Sequence, residues 1–164
     1  MPSAKILSEN MQKLGVSKNA DIVCYDMQGM FSVARAAWML RFFGATSVRI
    51  LEGGGKKWLA EGRQMVGGKQ VTFIPSDGDY NFSPVKDSDC ILNIKEMHII
   101  AHSLYHNTDG PQQILDARAP PRFNGEVAEP RPGVRSGSIK NSINVPFNIL
   151  VNEDGTFKSE DDLS

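Results

Sequence analysis

Two short apolar runs, each followed by a stretch at helical spacing, constrain this chain more than anything else in it. Residues 21–26, Asp-Ile-Val-Cys-Tyr-Asp, lead into a turn marked by Gly29 and Ser32, and a helix-length segment follows over 33–43 up to Gly44. Residues 47–51 form the next apolar run; Gly53, Gly54 and Gly55 come after it, and 56–61 reads as a short helix. Short apolar runs bounded by turn residues are buried strands, and glycine is the usual residue just past a helix. Strand–helix–strand–helix order calls for a parallel sheet with helices on both faces. Ahead of this unit, Ser3 can cap a first helix that lines up Ala4, Leu7, Met11 and Leu14 on one stripe, with Gly15 as its stop.

Between residues 62 and 89 the periodicity dissolves. Gly67-Gly68, Pro75, Asp77-Gly78-Asp79 and Pro84 punctuate the stretch, which reads as an interdomain connection with a short edge strand at Val71-Thr72-Phe73. A second unit then opens with a brief strand near 90–92, a helix over 95–105 and a strand at 113–117, with further elements at 145–150 and from Ser159 onward. The expected organisation is a first domain over 1–66, a linker over 67–89 and a second domain over 90–164, an α/β fold of two incomplete units.

Composition excludes several classes. The net charge of −1 gives no bulk attraction to nucleic acid or anionic lipid. No apolar run approaches the length of a membrane span. The two cysteines, Cys24 and Cys90, have neither CxxC nor metal-type spacing. Gly53-Gly54-Gly55 is not a phosphate loop, since no Gly-Lys-Ser/Thr follows it. His98, His102 and His106 fall at i, i+4 and i+8 of the second unit's helix; without a third ligand type nearby they read as a solvent-facing stripe, and no metal or other cofactor is expected.

The chemistry-bearing stretch is Ile114-Leu115-Asp116-Ala117-Arg118-Ala119-Pro120-Pro121-Arg122-Phe123-Asn124-Gly125, closed by Glu129-Pro130-Arg131-Pro132-Gly133. An apolar run ends in an acid and delivers Arg118, Arg122 and Arg131 into the loop that follows. Guanidinium groups in a loop at a strand's C-terminal end form an anion site in an α/β domain, because their planar fork grips a carboxylate or a sulfur oxyanion with paired hydrogen bonds.

These residues carry a resemblance. Asp-Ala-Arg-x-x-x-Arg-Phe-x-Gly, then Glu-Pro-Arg-x-Gly, then Ile139-x-x-x-Ile143-Asn144-Val145-Pro146-Phe147 resembles the start of the second domain of two-domain rhodaneses, the thiosulfate and 3-mercaptopyruvate sulfurtransferases. Tyr25-Asp26-x-x-Gly29-x-Phe31-Ser32-x-x-Arg35-x-x-Trp38, followed by Gly53-Gly54 and Trp58, resembles the same family's first domain, in the family's order. The resemblance covers nearly the whole chain and implies rhodanese-like parallel sheets flanked by helices.

It implies roles as well. Asp26 stands at the first-domain position where an active domain carries its sulfur-binding cysteine, so no catalytic residue is expected in this chain: a carboxylate cannot take up sulfane sulfur, whereas a soft thiolate can. Arg122 and Arg131 match the family's substrate-anion arginines and are expected to converge on one pocket. Loop bracing through Asp116, Glu126 or Glu129 stands open beside that reading, and Arg118 is expected to brace the loop. Arg35, in a helix's first turn, calls for an anionic partner, with Asp26 the nearest candidate. Cys24 and Cys90 are read as structural. Ser138 and Lys140-Asn141 replace the histidine and the Pro-Gly of the family's Gly-His-Ile-Pro-Gly segment.

No Cys-Gly-Ser-Gly-type loop occurs, and the chain reads as the back half of one rhodanese domain and the front half of the next. The expected function is that of a sulfurtransferase homologue serving as a non-catalytic structural or interaction subunit. The alternative is a piece of an active sulfurtransferase whose persulfide-forming cysteine lies elsewhere. Expected partners are other chains of an assembly, or the missing parts of the same protein, together with a small sulfur-containing anion. The family resemblance points to mitochondria, and otherwise to the cytoplasm.

Overall fold

The computed structural model describes residues 1–69, 74–75, 77–85, 90–106 and 112–163. The chain forms two compact units. Unit 1 comprises Met1–Ser88 with Asn152–Phe157, and unit 2 comprises Asp89–Val151 with Lys158–Ser164.

Unit 1 begins with helix α1 (Ala4–Leu14). The Ser3 hydroxyl accepts the Ile6 N–H at 3.3 Å, and Gly15 closes the helix in the left-handed region at φ 68°, where a side chain would be strained. Strand β1 (Asp21–Cys24), helix α2 (Val33–Phe42), strand β2 (Ser47–Ile50) and helix α3 (Gly54–Ala60) follow. β1 and β2 pair in parallel, with Asp21 beside Ser47 and Cys24 beside Ile50. The core gathers Leu7 of α1, Ala37 and Leu40 of α2, Phe43, Ala45, Val48 of β2 and Phe82. Ile22, Cys24 and Ile50 pack against it. Of the α1 stripe, Leu7 is buried, Ala4 and Met11 pack on the core, and Leu14 stays exposed.

β1 is not buried on both faces as its apolar sequence suggests. Ile22 and Cys24 turn to the core, while Val23 and the following Tyr25 are 52% and 55% exposed. The period of two sends alternate side chains to opposite faces, and among the described residues only one face of this ladder is covered.

Part of the stretch read as a linker packs into unit 1. Phe82 is 1% exposed, the largest fully buried side chain among the described residues. The Ser8 hydroxyl donates to its carbonyl at 3.3 Å and accepts its N–H at 3.1 Å. The N–H groups of Ser83 and Val85 donate to the carbonyls of Phe43 and Phe42. Lys18 pairs with Asp79 at 3.0 Å. The edge strand expected at Val71–Thr72–Phe73 lies outside the described residues.

Unit 2 holds helix α4 (Ile94–His106), strand β3 (Leu115–Asp116), the one-turn helix α5 (Pro120–Phe123), strand β4 (Ile143–Asn144), a 3-10 turn at Phe147–Leu150 and helix α6 (Glu160–Leu163). β3 and β4 are parallel, with Leu115 beside Ile143 and Asp116 beside Asn144. No strand forms at 90–92. The local polar chemistry commits that backbone to the start of α4: Asn93 Oδ1 accepts the N–H groups of Lys95 and Glu96, and Glu96 reaches back to the Asn93 N–H at 2.6 Å. The histidine stripe is exposed, with the rings of His102 and His106 4.7 Å apart, and no cluster of three or more metal-ligating side chains exists among the described residues.

Candidate active-site loops

In each unit a parallel strand leads into a loop through an aspartate, and the two loops spend their charge differently. In unit 1, Asp26 follows β1, and its carboxylate turns back onto the backbone. Oδ1 accepts the Gln28 N–H at 2.9 Å; Oδ2 accepts the N–H groups of Ser32 and Val33 at 2.8 and 3.1 Å, where α2 begins. The Asp26 carbonyl accepts the Gly55 N–H at 2.8 Å and so ties the loop to α3. Partial burial pushes the Asp26 carboxyl up, but the N–H donors of Ser32, Val33, Gln28 and Gly29 together outweigh it and hold the group below the ordinary carboxylate range. Asp26 thus fills the donor groups at the start of the helix with an internal anion. The expected pairing of Arg35 with Asp26 is not made: backbone donors already satisfy the carboxylate, and Arg35 is exposed.

In unit 2 the loop after β3 is a two-acid, two-arginine network. Arg118 Nε donates to Asp116 at 3.0 Å, its Nη1 to Glu129 at 2.9 Å and its Nη2 to the Gly137 carbonyl at 2.8 Å. Arg122 lays its Nε–Nη2 edge along the same Glu129, with Nε 3.1 Å from Oε1. The Glu129 side chain is 7% exposed. The hydrogen bond from Arg122 holds its carboxyl below the usual range against the opposing effect of burial, and Arg118 adds to this. Hydrogen bonding from Arg118 likewise lowers Asp116. Two guanidinium groups against two carboxylates leave this cluster neutral, with every buried charge paired.

Arg118 therefore braces the loop, as its sequence position suggests, and Arg122 is braced as well. The Nη1 end of Arg122 has no acceptor among the described residues, and its side chain is 35% exposed. Arg131 stands outside the network: it is exposed, and no acid among the described residues pairs with it.

Two contributors escape sequence reasoning. Asn144 Nδ2 donates to the carbonyls of both Asp116 and Arg118 at 2.9 Å and fixes the strand end. Asn141 holds φ 64° and donates to the Leu104 carbonyl at 2.7 Å. Asparagine is the residue other than glycine that best tolerates that backbone region, which is why Lys140-Asn141 can stand in for Pro-Gly.

Neither cysteine takes part in the hydrogen bonds that hold these loops: Cys24 is the last residue of β1. Cys24 is half-buried against the unit 1 core, and burial pushes its thiol up, partly offset by Arg41. Cys90 is exposed.

Short parallel strand pairs flanked by helices, with β1 and β3 each leading into a loop through an aspartate, make an α/β architecture. Residues 1–61 match the rhodanese-like domain family, and the rhodanese fold extends over nearly the whole chain. It is 35% identical over 165 residues to the 3-mercaptopyruvate sulfurtransferase of Escherichia coli strain K12, covering 99% of this chain and 54% of that protein. It is 28% identical over 180 residues to thiosulfate/3-mercaptopyruvate sulfurtransferase 1, mitochondrial, of Arabidopsis thaliana, covering 99% of this chain and 46% of that one. Among solved structures, the 3-mercaptopyruvate sulfotransferase SseA from Escherichia coli superposes with a TM-score of 0.78 at 30% identity, over 99% of this chain and 56% of that chain. The chain spans about half the length of the relatives it matches.

Proposed function

We infer that these 164 residues act as the non-catalytic part of a sulfurtransferase-type assembly, offering an anion-gripping loop and a scaffold while the sulfur-carrying thiolate comes from outside them. The observation that carries this reading is Asp26. The family position of the cysteine holds a carboxylate whose oxygens are spent on backbone N–H groups, and a carboxylate has no sulfur to extend into a persulfide. Arg131 and the free end of Arg122 are the groups left to hold a small carboxylate or sulfur oxyanion. The coverage of about half of each relative favours a second form of the same reading, in which the cysteine belongs to further residues of the same protein.

Support for a partner comes from the exposed apolar face of α4. Ile94 and Ile99 are 83% and 69% exposed, and with Met97 and Ile139 they line an open groove of 640 Å³. Faces of this kind mark interfaces. On this reading the face is covered by another protein chain or by further rhodanese sequence. A mitochondrial location follows the naming of the Arabidopsis relative and belongs to the same proposal.

The test is sulfur transfer from 3-mercaptopyruvate or thiosulfate by the purified chain, with sedimentation equilibrium on the same preparation. The expected result is no turnover, together with self-association or recruitment of a partner. Turnover abolished by Cys24→Ser or Cys90→Ser would overturn the non-catalytic reading, and a monodisperse monomer that binds no partner would overturn the scaffold.

A further inference from the structure

We propose that residues 152–157 are a clasp that holds the Asp26 loop in its conformation, and that unit 1 carries a recognition surface for this acidic, glycine-centred turn. The segment Asn152-Glu153-Asp154-Gly155-Thr156-Phe157 folds with unit 1, although the residues on either side of it belong to unit 2. It is a self-closed turn. The Asn152 N–H donates to the Thr156 carbonyl at 2.8 Å, and the Gly155 N–H to the Asn152 carbonyl at 3.0 Å. Asp154 Oδ1 accepts the Thr156 N–H and hydroxyl at 3.0 and 2.6 Å.

The turn meets the loop through glycine. Gly29, three residues after Asp26, and Gly155 are both buried and both in the left-handed region, at φ 72° and 84°. A Cβ on Gly155 would sit 2.9 Å from the Gly29 Cα, and one on Gly29 would sit 3.0 Å from the Gly155 Cα. Backbone therefore lies on backbone, with no flexible side chain to yield. Around this contact the charges are complementary. Lys57 Nζ reaches Asp154 Oδ2 at 3.0 Å, Lys56 Nζ reaches the Glu153 carbonyl at 2.6 Å, and Glu52 Oε1 accepts the Phe157 N–H at 3.1 Å. Glu52, Lys56 and Lys57 flank or belong to α3, whose Gly55 N–H is bonded to the Asp26 carbonyl. The clasp thus touches the Asp26 loop directly through Gly29 and indirectly through α3. Exposed ion pairs contribute little alone, so the glycine contact sets the specificity and the lysines hold the register.

Hydrogen exchange of the full chain decides. In Gly155→Ala the amides of Gln28, Ser32, Val33 and Gly55 are expected to exchange about tenfold faster, as local opening of the loop becomes easier. Gly133→Ala is the control: Gly133 has φ 79° but nothing within 4 Å of an added Cβ, so it carries the backbone strain without the contact. It should leave those four amides unchanged. Asp154→Ala, which cuts the lysine anchor and the turn's own cap without adding bulk, should accelerate the same amides to a smaller extent; it decides alone if Gly155→Ala does not fold. Unchanged exchange at those amides in Asp154→Ala and in any folded Gly155→Ala would overturn the clasp, and so would equal acceleration in Gly133→Ala.

Discussion

Truncating Phe82 to alanine should unfold unit 1 far more readily than any change to a true linker could. Its ring is 1% exposed and belongs to one core cluster with Leu7, Leu40, Phe43 and Val48. A buried phenylalanine removes about 200 Å² from water, and at about 25 cal/mol per Å² that amounts to about 5 kcal/mol. The denatured chain already hides part of that area, and alanine keeps one methyl, so the expected loss is about 3–5 kcal/mol. The assay is urea unfolding followed by tryptophan fluorescence. Both tryptophans of the chain, Trp38 and Trp58, lie in unit 1, so the signal reports that unit. Ser8→Ala removes the hydroxyl that brackets the Phe82 backbone and should cost about 1 kcal/mol. A Phe82→Ala loss below about 1 kcal/mol would refute the packing argument, because a ring in a flexible connection contributes only at that level.

Asp26→Asn should cost about 1 kcal/mol near neutral pH, as expected for weakening a carboxylate acceptor at a helix start. Because the folded carboxyl lies below its ordinary value, the stabilisation is complete above the unfolded pKa and is lost as pH falls through the lowered folded value. Acid titration of stability should therefore show a shallower limb in Asp26→Asn, and an unchanged limb would contradict the assignment. Thiol labelling with an aromatic disulfide should proceed in two phases, Cys90 fast and Cys24 slow, since Cys24 is half-buried with its thiol pushed up. Equal rates would show that Cys24 is accessible.

What was legible in the sequence was local. The caps of α1 at Ser3 and Gly15 and the glycine stop after α2 are short-range chemistry, and so is the acid-then-arginine order after β3. The misses are long-range. Phe82 reads as part of a linker because Ser8, 74 residues away, is invisible to any local pattern. The fold-back of 152–157 depends on an approach of Gly155 to Gly29 that no periodicity records. The strand expected at 90–92 failed for the opposite reason: the Asn93–Glu96 capping box was local and readable, and it outcompetes three apolar residues.

The arginines show why a motif names candidates but not commitments. Arg122 lies seven residues before Glu129, and Glu126 and Asp116 are also in sequence reach. Glu129 wins because it can serve two guanidinium groups at once: Arg118 fixes one oxygen and Arg122 takes both, so one buried carboxylate closes the loop from two sides. That choice neutralises the cluster. An incoming anion at Arg122 must either use the free Nη1 end or displace Glu129, and displacement would leave a buried carboxylate without its partner. Arg131, exposed and two residues beyond Glu129, faces no such cost. On the proposed anion-holding reading, the energetics therefore divide the two family-matched arginines: Arg131 would meet an anion first, and Arg122 would contribute only to the extent that its grip on Glu129 can be shared.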